Sequence, residues 1–288
     1  MALKQSIVKR KRSSNMISKK FDFAPHLCAF ICALTILTAC GSTATVSPER
    51  TSEAPVIDGN LSDWNTSSTL IESDDQSNTY ARYDEDYLYL YIEITSPFRD
   101  RAIRQSGLIV YLSDREETRN KTGVAFPSGS FNLLREDPAI YNDFLTESDW
   151  FSNPANIDLL ETLEEDIFDR IMIVERPDGR NADYGFIDYS RIEVDGMRIA
   201  SDNRSRYISV EMQIPRNGNS IYGFSGDEVW LGLAVETPSF RFNNDNEYSP
   251  TMNRQRDIYG NQRQRQPRRQ DLSRSLGAFE KWMKLELN

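Results

Sequence analysis

Histidine and cysteine are nearly absent from this chain. Its 288 residues hold one histidine, His26, and three cysteines, Cys28, Cys32 and Cys40, so neither type occurs from position 41 onward. That part of the chain cannot assemble a Ser-His-Asp or Cys-His nucleophile, a His/Cys zinc site or a histidine-ligated haem. It has no cysteine pair for an intrachain disulfide. What stays open is carboxylate chemistry, oxygen ligation of a hard cation, and recognition by aromatic and polar side chains.

A long hydrophobic run is also missing. The clearest apolar stretch, residues 27–38 (LCAFICALTILT), falls short of the roughly 20 residues an ordinary transmembrane helix needs. It follows seven Lys/Arg between Lys4 and Lys20 and ends at Leu37-Thr38-Ala39-Cys40. A basic region, a short apolar region and small residues before a cut describe a secretory leader over 1–39. LTAC resembles the bacterial lipobox, which implies cleavage before Cys40 and attachment of lipid to its thiol; the alternative is an ordinary signal peptide with a chance cysteine. Gly41 stands where an aspartate is associated with inner-membrane retention, so the outer membrane is the expected site, with the domain in the periplasm or at the cell surface. Several acyl chains give stable anchoring, each buried CH₂ adding about 0.8 kcal/mol.

Positive charge is scarce once the leader is gone. Residues 1–39 carry seven of the 34 basic residues and one of the 44 acidic ones, leaving a formal net charge of −16. Phosphate backbones repel such a surface, which excludes a nucleic-acid role. Attraction to anionic lipid is excluded on the same ground, so membrane attachment falls to the lipid.

Residues 41–53 (GSTATVSPERTSE) have no apolar pattern and read, with the lipidated Cys40, as a flexible tether over 40–53. Residues 54–288 are long enough for one large domain. Within them YLYLYIEI (87–94) alternates strictly, Leu88, Leu90, Ile92 and Ile94 on one face and Tyr87, Tyr89, Tyr91 and Glu93 on the other. Similar runs occur at 78–83, 107–113, 170–175, 206–214, 228–236 and 279–287. RIEV and MRIA flank Asp195-Gly196 in the manner of a hairpin. Many short strands separated by turns predict an all-β fold, a single antiparallel β-sandwich. Residues 136–168 break the pattern and predict a short helical insertion, with Asn153 or Asn156 as a cap. Residues 253–275, an Arg/Gln-rich stretch with seven arginines and two aspartates, lack an apolar face and read as a long loop before the last strand.

The motif PVIDGNLSDW (55–64), followed by YARYDEDYLYLYIEI (80–94), GLIVYLSD (107–114), VEMQIP (210–215), LGLAVETP (231–238) and FEKWMKLEL (279–287), resembles the family 9 carbohydrate-binding modules and their DOMON-like relatives. The resemblance spans most of 54–288, apart from the insertion and the arginine-rich stretch. It implies a β-sandwich that binds sugar between tryptophans, with calcium stiffening its loops.

The 55–65 motif itself has two readings. It is either a folded corner, with Asp58-Gly59 as a turn, Asp63 bonded to nearby backbone and Trp64 covering one end of the core. Or Asp58 and Asp63, with Asp84 and Asp86, are oxygen ligands for a structural calcium. No other cofactor is expected. For sugar stacking the candidates are Tyr87, Tyr89 and Tyr91, about 6.6–6.8 Å apart along one strand face, and the pair Trp150-Phe151, expected to be exposed among turn-formers. Trp230 is a third candidate, but its alternation with Val229 and Leu231 reads as core. Arg254, Arg256, Arg263, Arg265, Arg268 and Arg269 are candidates for an anionic partner, the alternative being a solvated loop. No feature selects a catalytic carboxylate pair, so the chain is read as non-enzymatic. The two functional expectations are an envelope lipoprotein that binds polysaccharide, and a structural or assembly lipoprotein that holds an envelope protein.

Overall fold

The computed structural model describes residues 44–114, 121–176, 182–203, 205–240 and 276–288. The expected leader over 1–39, Cys40 and the arginine-rich stretch, with Arg254, Arg256, Arg263, Arg265, Arg268 and Arg269, lie outside the described residues.

Thirteen strands occur among the described residues. They are β1 (Ala44–Val46), β2 (Glu49–Arg50), β3 (Leu70–Ser73), β4 (Ser77–Tyr83), β5 (Tyr87–Ile94), β6 (Ile109–Ser113), β7 (Lys121–Ala125), β8 (Arg170–Arg176), β9 (Asp183–Asp188), β10 (Arg198–Asp202), β11 (Ser209–Pro215), β12 (Glu228–Val235) and β13 (Phe279–Glu286). One sheet runs β1-β13-β12-β6-β7-β8-β9; the other runs β10-β11-β5-β4-β2, with β3 also paired to β4. The helices are α1 (Thr66–Thr69), α2 (Pro97–Ser106), α3 (Ser130–Leu133), α4 (Pro138–Thr146), α5 (Pro154–Asp166) and α6 (Tyr189–Val194). No helix among the described residues is long and apolar enough to cross a membrane.

The predicted sandwich is what the chain forms. Leu88, Leu90 and Ile92 of β5 face Val110, Leu112, Val229, Leu231 and Met283 of the other sheet in one continuous core. Each such side chain contributes about 1.5–3 kcal/mol by leaving water. Pairing is antiparallel except at two edges, where β1 runs parallel to β13 and β2 parallel to β4. Those edge strands correct the expected tether over 40–53: Ala44–Val46 and Glu49–Arg50 belong to the two sheets. Their exposed backbone groups are satisfied by completing the ladders of β13 and β4.

The helical insertion is present and begins earlier than expected. It runs through α3, a 3₁₀ turn at Leu134–Glu136, α4, a second 3₁₀ turn at Trp150–Ser152, and α5. Asp137 caps α4 and Asn153 caps α5, each followed by proline at the first helical position. The hairpin expected around Asp195-Gly196 is not formed. Tyr189–Val194, which includes RIEV, is helical, and only Arg198–Asp202 beyond the turn is a strand.

Candidate functional site

Glu211 answers the question posed by the 55–65 motif. It lies on the outward side of β11, opposite Tyr91 of β5, and is 0% exposed. Its Oε2 accepts the backbone N–H groups of Asp58 at 3.0 Å and Gly59 at 2.9 Å, and its Oε1 accepts the indole N–H of Trp64 at 2.8 Å. Gly59 O in turn accepts Tyr91 OH at 3.2 Å and Ser209 Oγ at 2.8 Å. Gly59 has φ +83°, and a Cβ there would lie 2.5 Å from Asp202 N. The motif is therefore a corner folded down onto the six-stranded sheet. Trp64 covers the outer face of that sheet, not an end of the core, with Ile57, Leu61, Tyr80, Tyr89 and Tyr91 beside it. The Arg82 guanidinium sits 4.5 Å from the Trp64 ring.

This arrangement removes the tyrosine stripe as a sugar platform. Tyr89 is 1% exposed and Tyr91 is likewise buried, while Tyr87 is partly covered beside Tyr89 at 6.1 Å. The face that looks open in the alternating pattern is closed by the motif 30 residues upstream. Burial pushes the Tyr91 hydroxyl up to about 12.

The four aspartates do not form a calcium cluster. Asp63 Oδ2 accepts Val56 N at 2.7 Å, and Asp58 Oδ1 accepts Asn60 N at 2.8 Å. Asp84 is consumed by Asp86 N and Tyr87 N on Oδ1 and by Tyr89 OH on Oδ2. Asp58 and the Asp84–Asp86 loop border different surface recesses. Among the described residues, no group of three or more acidic, histidine or cysteine side chains could hold a metal.

Trp150 is also corrected. It is 3% exposed, packed edge-on against Phe144 at 5.1 Å within the insertion's own core of Phe131, Leu134 and Phe144. Turn-formers around it set the backbone but do not determine burial. Phe151 is 44% exposed and leans on Phe144 at 5.7 Å. Trp230 is half-buried on the outward side of β12, not in the core.

An open cleft that the sequence does not reveal lies where β12 ends, β13 begins, β8 ends and β9 begins. It measures about 620 Å³; Arg135, Tyr141 and Leu145 of the insertion form one wall, and Arg176, Tyr184, Glu236, Phe279 and Glu280 of the sheet form the other. Beside it, the outer face of the seven-stranded sheet is apolar and buried, with Ile109, Tyr111, Met172 and Val174 in one cluster. Trp282 stacks on Tyr111 at 5.9 Å and 22°. Gly232 makes room for it, since a Cβ there would meet the indole at 2.7 Å.

The polar groups of the cleft are held by second partners. Tyr111 OH donates to Glu236 Oε1 at 2.6 Å, and Arg176 is ion-paired to Glu236 Oε2. Burial works against the Arg176 charge, but the neighbouring Glu236 carboxylate keeps its pKa above the ordinary value. Glu280 accepts Lys121 Nζ at 2.5 Å and Trp282 Nε1 at 2.7 Å. Burial tends to raise the Glu280 pKa; those two donors outweigh it and hold the carboxyl below its ordinary value. Lys121 Nζ lies 4.1 Å from the Tyr111 ring and 4.9 Å from that of Trp282. The Arg135 guanidinium sits 3.7 Å from the Tyr184 ring and 4.7 Å from that of Tyr141.

No family model and no curated protein matches the chain. Among solved structures it is similar to a family 9 carbohydrate-binding module from Caldicellulosiruptor kristjanssonii in complex with glucose, at 13% identity and a TM-score of 0.29, covering 67% of this chain and 78% of that one. A family 9 module from the same organism in complex with cellotriose is similar at 11% identity and a TM-score of 0.29, covering 69% of this chain and 80% of that one. At this level the likeness assigns neither family nor ligand.

Proposed function

We propose that this β-sandwich binds carbohydrate without transforming it, in the cleft between the insertion and the seven-stranded sheet, on a chain anchored to the outer membrane through lipid at Cys40. The observation that supports this is the cleft's make-up. Two tyrosine rings, Tyr141 and Tyr184, stand at an open recess of about 620 Å³, within the range of about 300–1,000 Å³ general to ligand clefts. A ring face offers the apolar C–H side of a sugar a surface to stack on. Glu236, Arg176 and Glu280 offer acceptors and donors for its hydroxyls, and each is already fixed in place, so little ordering cost remains at binding.

A glycosidic general acid needs a raised pKa so that it stays protonated at its working pH. Glu280, held the opposite way by Lys121 and Trp282, is unsuited to that one role.

The test is a glycan array probed with residues 41–288, beside a Tyr184→Ala variant of the same melting temperature. Saturable binding that the variant loses supports the reading. Binding that the variant keeps moves the site elsewhere. Silence across the array contradicts sugar binding and favours the assembly lipoprotein with a protein partner. For the anchor, labelling of the full chain with an alkyne fatty acid should be lost in Cys40→Ala.

A further inference from the structure

Arg135 is the unusual member of the cleft. The chain has 44 acidic residues against 34 basic ones, and the other arginine that lines the cleft, Arg176, is ion-paired to Glu236. Arg135 has no carboxylate partner among the described residues. Its Nε donates to Asn132 Oδ1 at 3.2 Å, and its guanidinium plane is positioned by the rings of Tyr184 and Tyr141. Asn132 is itself fixed, its Nδ2 donating to the carbonyls of Ser106 at 2.8 Å and Ser128 at 3.0 Å.

A side chain held this way has already lost most of its rotamer freedom. The nitrogen used by Asn132 is Nε, so Nη1 and Nη2 of this cleft-lining side chain have no hydrogen-bond partner among the described residues. A guanidinium fork pairs best with a planar two-oxygen anion, making two parallel charge-assisted bonds. Glu236 does not compete for it, being taken by Arg176 and Tyr111.

Resting on the carbohydrate reading above, we infer that the cleft selects an acidic sugar, with Arg135 receiving the carboxylate of a uronate residue while Tyr184 and Tyr141 flank the ring. The acidic domain as a whole repels such a polymer, so capture has to rest on this one local, preorganised cation.

The experiment is isothermal titration of residues 41–288 with three probes: an oligogalacturonate, the fully methyl-esterified form of the same oligomer, and a sulfated neutral oligosaccharide. The expected result is an acid-over-ester preference of about tenfold or more, in line with a charge-assisted pair. Arg135→Gln should bring the acid-to-ester ratio to about one, and Arg135→Lys, which keeps the charge but not the fork, should fall between. The ratio is read within each variant, after its melting temperature is shown to match the parent, so a general loss of affinity does not mimic the effect. Equal affinity for acid and ester overturns the inference and leaves sugar binding standing. A preference that survives in Arg135→Gln overturns it too, as does tighter binding of the sulfated probe. No binding of any probe, with a silent array, overturns both the inference and the reading beneath it.

Discussion

Trp64 and Glu211 are 147 residues apart in sequence and joined by one hydrogen bond, indole N–H to carboxylate, of 2.8 Å. With the Asp58 and Gly59 amides on its other oxygen, Glu211 ties the N-terminal corner to the middle of a sheet formed much later in the chain. Two separate sequence motifs, the Asp-Gly…Asp-Trp corner and the Val-Glu of β11, are thus the two halves of one structural joint.

Glu211→Gln should therefore destabilise the domain. An amide offers one acceptor where three donors wait, and each buried donor left unpaired costs about 1–3 kcal/mol. The expected loss is about 2–4 kcal/mol, measured by chemical denaturation at neutral pH. A variant within about 0.5 kcal/mol of the parent, the usual scatter of neutral surface changes, would contradict the role of Glu211 as the tie.

Gly59→Ala probes the same joint from the opposite side. The backbone at φ +83° disfavours any side chain, and the new methyl would press on Asp202 N. A loss of about 2 kcal/mol or more is expected, with Gly59→Asn no rescue because the clash with backbone remains. Unchanged stability in Gly59→Ala would mean the corner is not seated on the sheet.

The joint also carries a pH signature. Burial raises the Glu211 carboxyl above its ordinary value, against the pull of the Trp64, Gly59 and Asp58 N–H donors. A carboxyl with a folded pKa above its unfolded one holds its proton more tightly when folded. Its contribution is fully present below the unfolded value of about 4.3 and is lost as pH rises through the folded value. The stability gap between parent and Glu211→Gln should accordingly narrow as pH rises from about 4 towards neutrality, and thermal melts across that window measure it. A gap that widens with rising pH would show a folded pKa below the unfolded one, the opposite of what burial imposes.

Trp150 and Phe151 are neighbours with different expected costs. Trp150→Ala empties the centre of the insertion's own core and should cost about 3–5 kcal/mol. Phe151→Ala, at a side chain 44% exposed, should cost well under half of that. Equal costs from the two substitutions in urea titrations would put Trp150 back at the surface.

Much of the sandwich is legible in the sequence because its central strands alternate cleanly: β5, β11 and β12 set aliphatic residues inward over seven or eight positions. Four residues of RIEV are too few to separate a period of 2 from one of 3.6, and this segment turns out helical. Strand β9 escapes notice because Gly185 interrupts its pattern, although Asp178-Gly179 between it and β8 is a usable turn signal. Helix α2 is marked by Ser96 as cap, Pro97 at its start and Gly107 at its end, a signature that strand periodicity overshadows.

The cleft is illegible for a different reason. Arg135, Tyr141, Arg176, Tyr184, Glu236 and Glu280 come from separate elements brought together by sheet order. No spacing along the chain records that convergence. The tyrosine stripe fails in the reverse sense. Its outward face is correctly given by the alternation, but what covers that face is decided by Glu211 and the corner it holds.

Hydrogen–deuterium exchange on residues 41–288, with and without the tightest-binding oligosaccharide from the array, locates the ligand without altering any side chain. Protection confined to peptides spanning 135–145, 176–184 and 236–239 is the predicted result. Protection centred on 55–65 and 87–91, with the cleft peptides unchanged, would contradict it and return the ligand to the corner that Glu211 closes.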